Sequence, residues 1–451
     1  MKNQSIMPKK NNLFTVFCCF ALFTFTACNV SQKEEKKENP RPNIVLIISD
    51  DQSWTDYSFL GHEHIETPRI DQLAQEGLTF TYGYTAAPLC SPALASIASG
   101  LYPHQHGILG NDPVYDFDGR RYTDEWAQAR RKHYQQYIDS YRELNTIADV
   151  LGDEGYASLQ TGKWWIGNYQ NGGFDEGMTH GDPLRGGRHG DEGLKIGREG
   201  LDVIYHFVDS TSAANTPFYI WYAPFMPHTP HTPPDSLKQK YLEVAPTEAV
   251  ANYWAMCEWF DITCGQLMDY IDEKELSQNT LFIYVTDNGW IQDPERPNRY
   301  APRSKREPYE MGIRTPVIFH WEGGIDPEMN TTSAVSSIDI ASTIYGICGI
   351  EPPEGLQGIN VLDETHLKER EVLFAETYAH DFSSIVSSLY YRIAIDLPYK
   401  LILPDGNNKP EADTELFNIV TDPFETENLA KEKPGKVNEL RGKIEAWWPD
   451  E

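Results

Sequence analysis

Two uninterrupted apolar runs constrain this chain more than any other feature. Ile44-Val45-Leu46-Ile47-Ile48-Ser49 and Leu281-Phe282-Ile283-Tyr284-Val285-Thr286 show no alternation of apolar and polar positions. A strand with one wet face alternates, so runs like these belong to strands covered on both faces, as in a parallel sheet between helices. Tyr156 to Thr161, Phe218 to Tyr222 and Thr315 to Phe319 read as further strands, and helical patterns run between them. The expected fold class is α/β, with a mixed, mainly parallel sheet between helices. In such sheets ligands gather beyond the carboxyl ends of the strands. The first run ends in Asp50-Asp51 and the second in Asp287-Asn288, oxygen donors placed for a hard cation. The plainer alternative is that the acids cap the next turn.

The stretch Pro88-Leu89-Cys90-Ser91-Pro92-Ala93-Leu94 reads as the mouth of a helix that stops at Ser99-Gly100. Ser91 is expected as N-cap and Pro92 as the first helical residue, with Cys90 just ahead of them. Unpaired amides there attract a phosphate or sulfate and lower a thiol's pKa. A buried packing cysteine is the alternative.

A formal charge of -29 over 451 residues argues against nucleic acid or an anionic membrane surface as partner. An anionic substrate would need a metal and local cations to overcome that field. Residues 1–28 read as a lipoprotein signal peptide: Lys9 and Lys10, an apolar stretch from Leu13 to Phe25 too short to span a bilayer, and a lipobox ending at Cys28. Residues 29–40 are a Lys-, Glu- and Pro-rich tether. The expectation is an exported lipoprotein, periplasmic or outer-membrane anchored, touching the membrane only through its lipid. Of the remaining cysteines, Cys257 and Cys264 share one face of a long helix, from about Thr247 to Glu273, and read as core.

Further along, Leu101 to Gly107 brings His104 and His106 toward the same sheet edge. Residues 111–141 look like a polar, aromatic insertion with some helix, carrying Arg120, Arg121, Arg130 and Arg131. Gly162-Lys163-Trp164-Trp165 follows one strand, and Pro227-His228-Thr229-Pro230-His231 another. Arg185, Arg188 and His189 lie in a glycine-rich stretch that reads as solvent-facing. Residues 41–358 are expected as the main domain. Residues 359–451, with short alternating runs and a closing helix from about Gly435 to Trp448, are expected as a smaller α+β subdomain with an antiparallel sheet.

These segments together resemble the type I sulfatases, formylglycine-dependent sulfuric ester hydrolases of the alkaline phosphatase superfamily. The resemblance rests on Arg-Pro-Asn before Asp50-Asp51, Leu-Cys-Ser-Pro through Ser-Gly-Leu-Tyr-Pro, Gly-Lys-Trp, Pro-His-Thr-Pro-His, Asp-Asn-Gly, and Lys305 ahead of Tyr309-Glu310. It implies Ca2+ held by Asp50, Asp51, Asp287 and Asn288, and a formylglycine made from Cys90 by a maturation enzyme. It further implies sulfate contacts from Lys163 and Lys305, and protonation of the leaving alcohol by His228. His106, Trp165, His231 and Arg306 are expected around a sulfated glycan.

Two departures stand out. The family's Cys-x-Pro-x-Arg has Leu94 at its last position here, and its Gly-Lys-Trp-His has Trp165. Leucine cannot act as a bidentate oxyanion ligand. Three readings follow: a refilled site, with Arg303 or Arg306 as the guanidinium and His106 or His231 as the base; a glycan-binding chain whose Cys90 stays a thiol; or a phosphodiesterase.

Overall fold

In a computed structural model, residues 41–114, 118–182, 184–185, 187 and 191–448 are described. The leader, the tether, Arg188 and His189 lie outside them.

Fourteen strands occur among the described residues: β1 (Asn43–Ser49), β2 (Leu78–Tyr84), β3 (Asp112–Pro113), β4 (Ala157–Gly162), β5 (Glu176–Gly177), β6 (Phe218–Ala223), β7 (Thr280–Thr286), β8 (Arg314–His320), β9 (Glu328–Ser336), β10 (Leu373–Tyr378), β11 (Asp381–Phe382), β12 (Leu389–Asp396), β13 (Tyr399–Pro404) and β14 (Glu415–Asn418). Eight form the main sheet in the order β5-β4-β6-β1-β7-β8-β2-β9. Strand β1 is central and runs parallel to both β6 and β7, and β4 is parallel to β6. Only β8 opposes its neighbours. All seven residues of β1 are buried. Ile44, Leu46 and Ile48 face one apolar core, Val45 and Ile47 the other. That division is why the run does not alternate in polarity.

Four parallel strands therefore end at one edge, and the chain leaves each with a residue of interest. Asp50-Asp51 follows β1, Lys163 follows β4, His228 lies just beyond β6, and Asp287-Asn288 follows β7.

The second sheet, β10-β12-β13-β14, is wholly antiparallel. One face packs Leu401, Leu403 and Leu416 against Val437, Leu440 and Ile444 of the closing helix Pro434–Trp447. The other packs Ile393, Ile402 and Phe417 against Tyr84 and Ile313 of the main sheet's side. The insertion forms a helix, Asp124–Arg142, capped by the Thr123 side chain. Its Tyr141 hydroxyl donates to the Ala95 carbonyl, docking the insertion on the Cys90 helix.

Candidate active site

The centre is built from backbone outward. The Asp50 amide donates to the Met226 carbonyl and the Asp287 amide to the Ser49 carbonyl, so the strand ends hold each other in register. Asp51 then turns into the left-handed region, φ 64°, and its amide donates to Asp287 Oδ1 at 3.1 Å. Asp50, Asp51, Asp287 and Asn288 are all buried.

Two ammonium groups offset this charge. Lys163 Nζ lies 2.5 Å from Asp50 Oδ1 and 3.1 Å from Asp287 Oδ2. Lys305 Nζ lies 2.6 Å from Asp51 Oδ1. Three carboxylates against two ammoniums leave a net negative centre, and burial is the main reason Asp50 and Asp51 are pushed above the usual carboxylate range. Asp50 Oδ2 and Asn288 Oδ1 are buried without a hydrogen-bond partner. Oxygens in that state fit a hard cation, since an unsatisfied buried acceptor otherwise costs about 1–3 kcal/mol.

Cys90 joins this centre: ligand atoms of Asp50, Asp51, Cys90 and His228 lie within 4.8 Å of one another. His228 Nδ1 is 2.7 Å from the Thr229 carbonyl. That contact puts the Nδ1 proton on the carbonyl side and turns Nε2 toward Asp51 Oδ2, 3.5 Å away.

The helix start differs from expectation. The helix is Cys90–Ser99, with extended Leu89 in the cap position and no side-chain cap. Ser91 is therefore not the N-cap; its amide instead donates to Asn111 Oδ1 at 3.0 Å. Nor is the thiol activated. Burial pushes Cys90 up to about 11, outweighing the nearby Lys163 and Lys305.

The remaining expected residues separate. His106 is buried, with Nε2 on Ser96 Oγ and Nδ1 accepting from the Ile108 amide. Both nitrogens serve the core, leaving none for a substrate. Trp165 is buried in the same apolar core as Leu94, its ring 5.8 Å from Lys163 Nζ. His231 packs against Tyr253 and Trp290, with Nε2 buried and unpartnered. Arg303 does not supply a guanidinium here: it stacks 3.6 Å over Tyr309 and donates to the Glu425 carbonyl. Arg306 is exposed, and its amide donates to the Pro88 carbonyl beside the Cys90 helix.

Sequence patterns missed two features. Arg130, Arg131, Tyr134, Trp165, His180 and Asp182 are among the walls of a cleft of about 450 Å³. His380 reaches Asn111 from a position 269 residues away in the chain. No local spacing announces either.

A mainly parallel α/β sheet with an oxygen-rich, lysine-flanked centre and a helix-start cysteine at its carboxyl edge defines an alkaline phosphatase-like hydrolase. The sulfatase family model matches residues 42–350, and the model of the N-sulphoglucosamine sulphohydrolase C-terminal region matches 301–446. The chain belongs to the sulfatase family and is a sulfatase. It is 27% identical to a sulfatase of Formosa agariphila, covering 92% of this chain and 90% of that one. It is also 27% identical to the human N-acetylgalactosamine-6-sulfatase, covering 71% of this chain and 65% of that one. A protein solved with its substrate, D-glucosamine-2-N,6-O-disulfate, shares the fold with a TM-score of 0.66 at 18% identity, covering 90% of this chain and 97% of that one.

Proposed function

We propose that this chain hydrolyses a sulfate ester on a carbohydrate. The observation that carries the reading is the convergence of Cys90, His228 and the Asp50/Asp51 carboxylates within 4.8 Å, with Lys163 and Lys305 paired into the same centre. The names of the human relative and of the substrate solved with the structural neighbour support a sugar sulfate.

Asp50, Asp51, Asp287 and Asn288 would hold Ca2+, and Cys90 matured to formylglycine would offer a hydroxyl nucleophile beside it. When bound, the cation supplies charge neutralisation for the nucleophile and for a sulfate oxygen. The chain's own residues do the rest. Lys163 and Lys305, both buried, present fixed positive charge where the transferring sulfate gains negative charge, and a dry site makes that attraction stronger than it is in water. His228, held through Nδ1 by the Thr229 carbonyl, delivers a proton from Nε2 to the leaving sugar oxygen once protonated. Trp165 and Phe225 exclude water around Lys163. The basic, apolar leader supports export with a lipid anchor at Cys28.

The test couples two readings on protein from a host that carries the maturation enzyme. Mass spectrometry of the Cys90 peptide is expected to show aldehyde in place of thiol. Ion chromatography is expected to show sulfate released from N-acetylgalactosamine 6-sulfate, glucosamine disulfate or sulfated polysaccharides, abolished in Cys90→Ala. An unmodified thiol with no sulfate released from any of them sinks the proposal. Turnover of bis-p-nitrophenyl phosphate alone would move the activity to phosphodiesters.

A further inference from the structure

His380 sits in the turn between β10 and β11, in the second sheet's part of the chain, yet a single side chain links its ring to the Cys90 helix. Asn111 makes the connection. Its Oδ1 accepts from the Ser91 amide, which fixes the side-chain amide's orientation and turns Nδ2 toward His380 Nε2, 3.4 Å away. On the other side of the ring, His380 Nδ1 lies 2.5 Å from Asp381 Oδ1. A carboxylate on Nδ1 and an amide donor on Nε2 specify one neutral tautomer, with the proton on Nδ1 and a lone pair on Nε2. Burial, the largest influence, pushes the ring below its ordinary value and Arg306 adds to it, against the opposing carboxylates of Asp381 and Asp112. The lone pair is weakly used, since 3.4 Å is the long limit for such a bond.

The ring is not needed to hold its own loop. The Asn111 amide donates to the His380 carbonyl at 2.9 Å, the Val114 amide donates to the Phe382 carbonyl, and β3 pairs with β11 through Asp112 and Asp381. Main-chain bonds fix the loop, so a ligand hydroxyl that took the place of the long Asn111 contact at Nε2 would leave the loop in position. Arg306, whose amide is tied to the Pro88 carbonyl just ahead of the Cys90 helix, lies near enough for its charge to act on the His380 ring. His104, by contrast, is bound to Glu376 and stacked on Trp448, and His106 has both nitrogens engaged.

We propose that His380 is a specificity-determining residue: its Nε2 accepts a hydroxyl proton of the sugar ring that carries the scissile sulfate, with Asp381 holding the ring in the accepting tautomer. A neutral acceptor suits a hydroxyl and not a second sulfate, so the inference names a polyhydroxylated ring with a free hydroxyl near the ester. It rests on the reading of the Cys90 centre as a sulfate-ester site.

The experiment separates the two. Titration calorimetry on the full chain measures inorganic sulfate, which reaches only the centre, and N-acetylgalactosamine 6-sulfate and glucosamine disulfate, which also reach the rim. For wild type, at least one sugar sulfate is expected to bind more tightly than inorganic sulfate. In His380→Ala that advantage is expected to shrink about tenfold while inorganic sulfate binds as before, the scale of one lost hydrogen bond. Asp381→Asn is expected to lose part of the advantage, and the melting temperature of both variants to stay within a few degrees of wild type. An unchanged sugar advantage in His380→Ala overturns the proposal, as does an equal loss for sugar sulfate and inorganic sulfate, which marks a structural role. A wild-type chain that holds no sugar sulfate above inorganic sulfate overturns it too. Failure to hold inorganic sulfate at all overturns the reading of the centre and this proposal together.

Discussion

His106 shows how one residue type serves opposite ends at this sheet edge. Burial pushes its ring down to about 3, and Ser96 and the Ile108 amide occupy its nitrogens. The folded ring stays neutral where the unfolded ring, near 6.5, takes up a proton. The unfolded state therefore binds more protons between pH 6.5 and 3, and stability present above 6.5 is lost as pH falls through that window. The expected loss from this residue is about 1.4 kcal/mol for each pH unit across the window. Urea unfolding at pH 7 and pH 5 should show a smaller difference for His106→Gln than for wild type, and equal differences would refute the assignment. His106 also marks what a sequence can say about a site. The residues that follow parallel strands, Asp50, Asp51, Lys163, His228, Asp287 and Asn288, were legible because a strand end points its successor to a known edge. Whether a loop histidine faces that edge or the core depends on partners such as Ser96, which no spacing encodes. The effect of the helix start on Cys90 was misjudged for a related reason. Helix amides favour a thiolate, but complete burial outweighs them, and burial is a property of the packed whole.

At the level of elements, the turn after β4 delivers Lys163 to the centre, and Gly162 makes that turn possible. Its φ is +77°, and a Cβ there would stand 1.9 Å from the Ala223 carbonyl oxygen of β6, the atom that accepts the Lys163 amide at 2.7 Å. Both the conformation and the close approach exclude a side chain. Gly162→Ala is expected to cost at least ~2 kcal/mol of stability and to lower turnover by displacing the ammonium. Gly152→Ala, in a helix and with open space around its Cβ position, is the control: it should leave turnover unchanged and raise stability by no more than about 1 kcal/mol. Unfolding midpoints and sulfate release decide it, and a Gly162→Ala chain equal to wild type in both would contradict the account. Most elements were readable from pattern: β1, β6 and β7 from unbroken apolar runs, and the helix Glu248–Glu273 from its periodicity. The two-residue strands β3 and β11 were not, because so short a pairing has no period of its own. That pairing is what brings His380 beside Asn111.

On the scale of the whole molecule, the antiparallel sheet is joined to the main sheet by a buried charge cluster. Lys400, on β13 and wholly buried, places Nζ 3.0 Å from Glu310 Oε1 and 2.8 Å from Glu425 Oε1. Glu310 also accepts from the Tyr84 hydroxyl of β2, and the Glu425 side chain accepts from the Glu310 amide. Glu310 begins the short helix that follows the Lys305 loop, so the cluster ties β13, β2 and that loop into one piece. Substituting Lys400→Met removes the ammonium shared by the two carboxylates, leaving Glu425 without its cation and Glu310 with only Arg314, 3.5 Å from its Oε2, a change expected to cost about 3–5 kcal/mol. The pH dependence of that cost is a sharper signature than its size. Burial already raises Glu425, with Lys400 opposing it; without the ammonium, the folded carboxylate holds its proton to still higher pH. A group raised in the folded state contributes stability below its unfolded pKa, near 4.5, and that contribution is lost as pH rises. The deficit of Lys400→Met relative to wild type should thus be larger at pH 8 than at pH 5, and adding Glu425→Gln should recover part of it at pH 8. Urea titrations of the three chains at both pH values provide the measurement. A pH-independent deficit, or no recovery on adding Glu425→Gln, would mean that the two sheets are held together by the apolar contacts of Tyr84, Ile313 and Phe417 and not by this charge cluster.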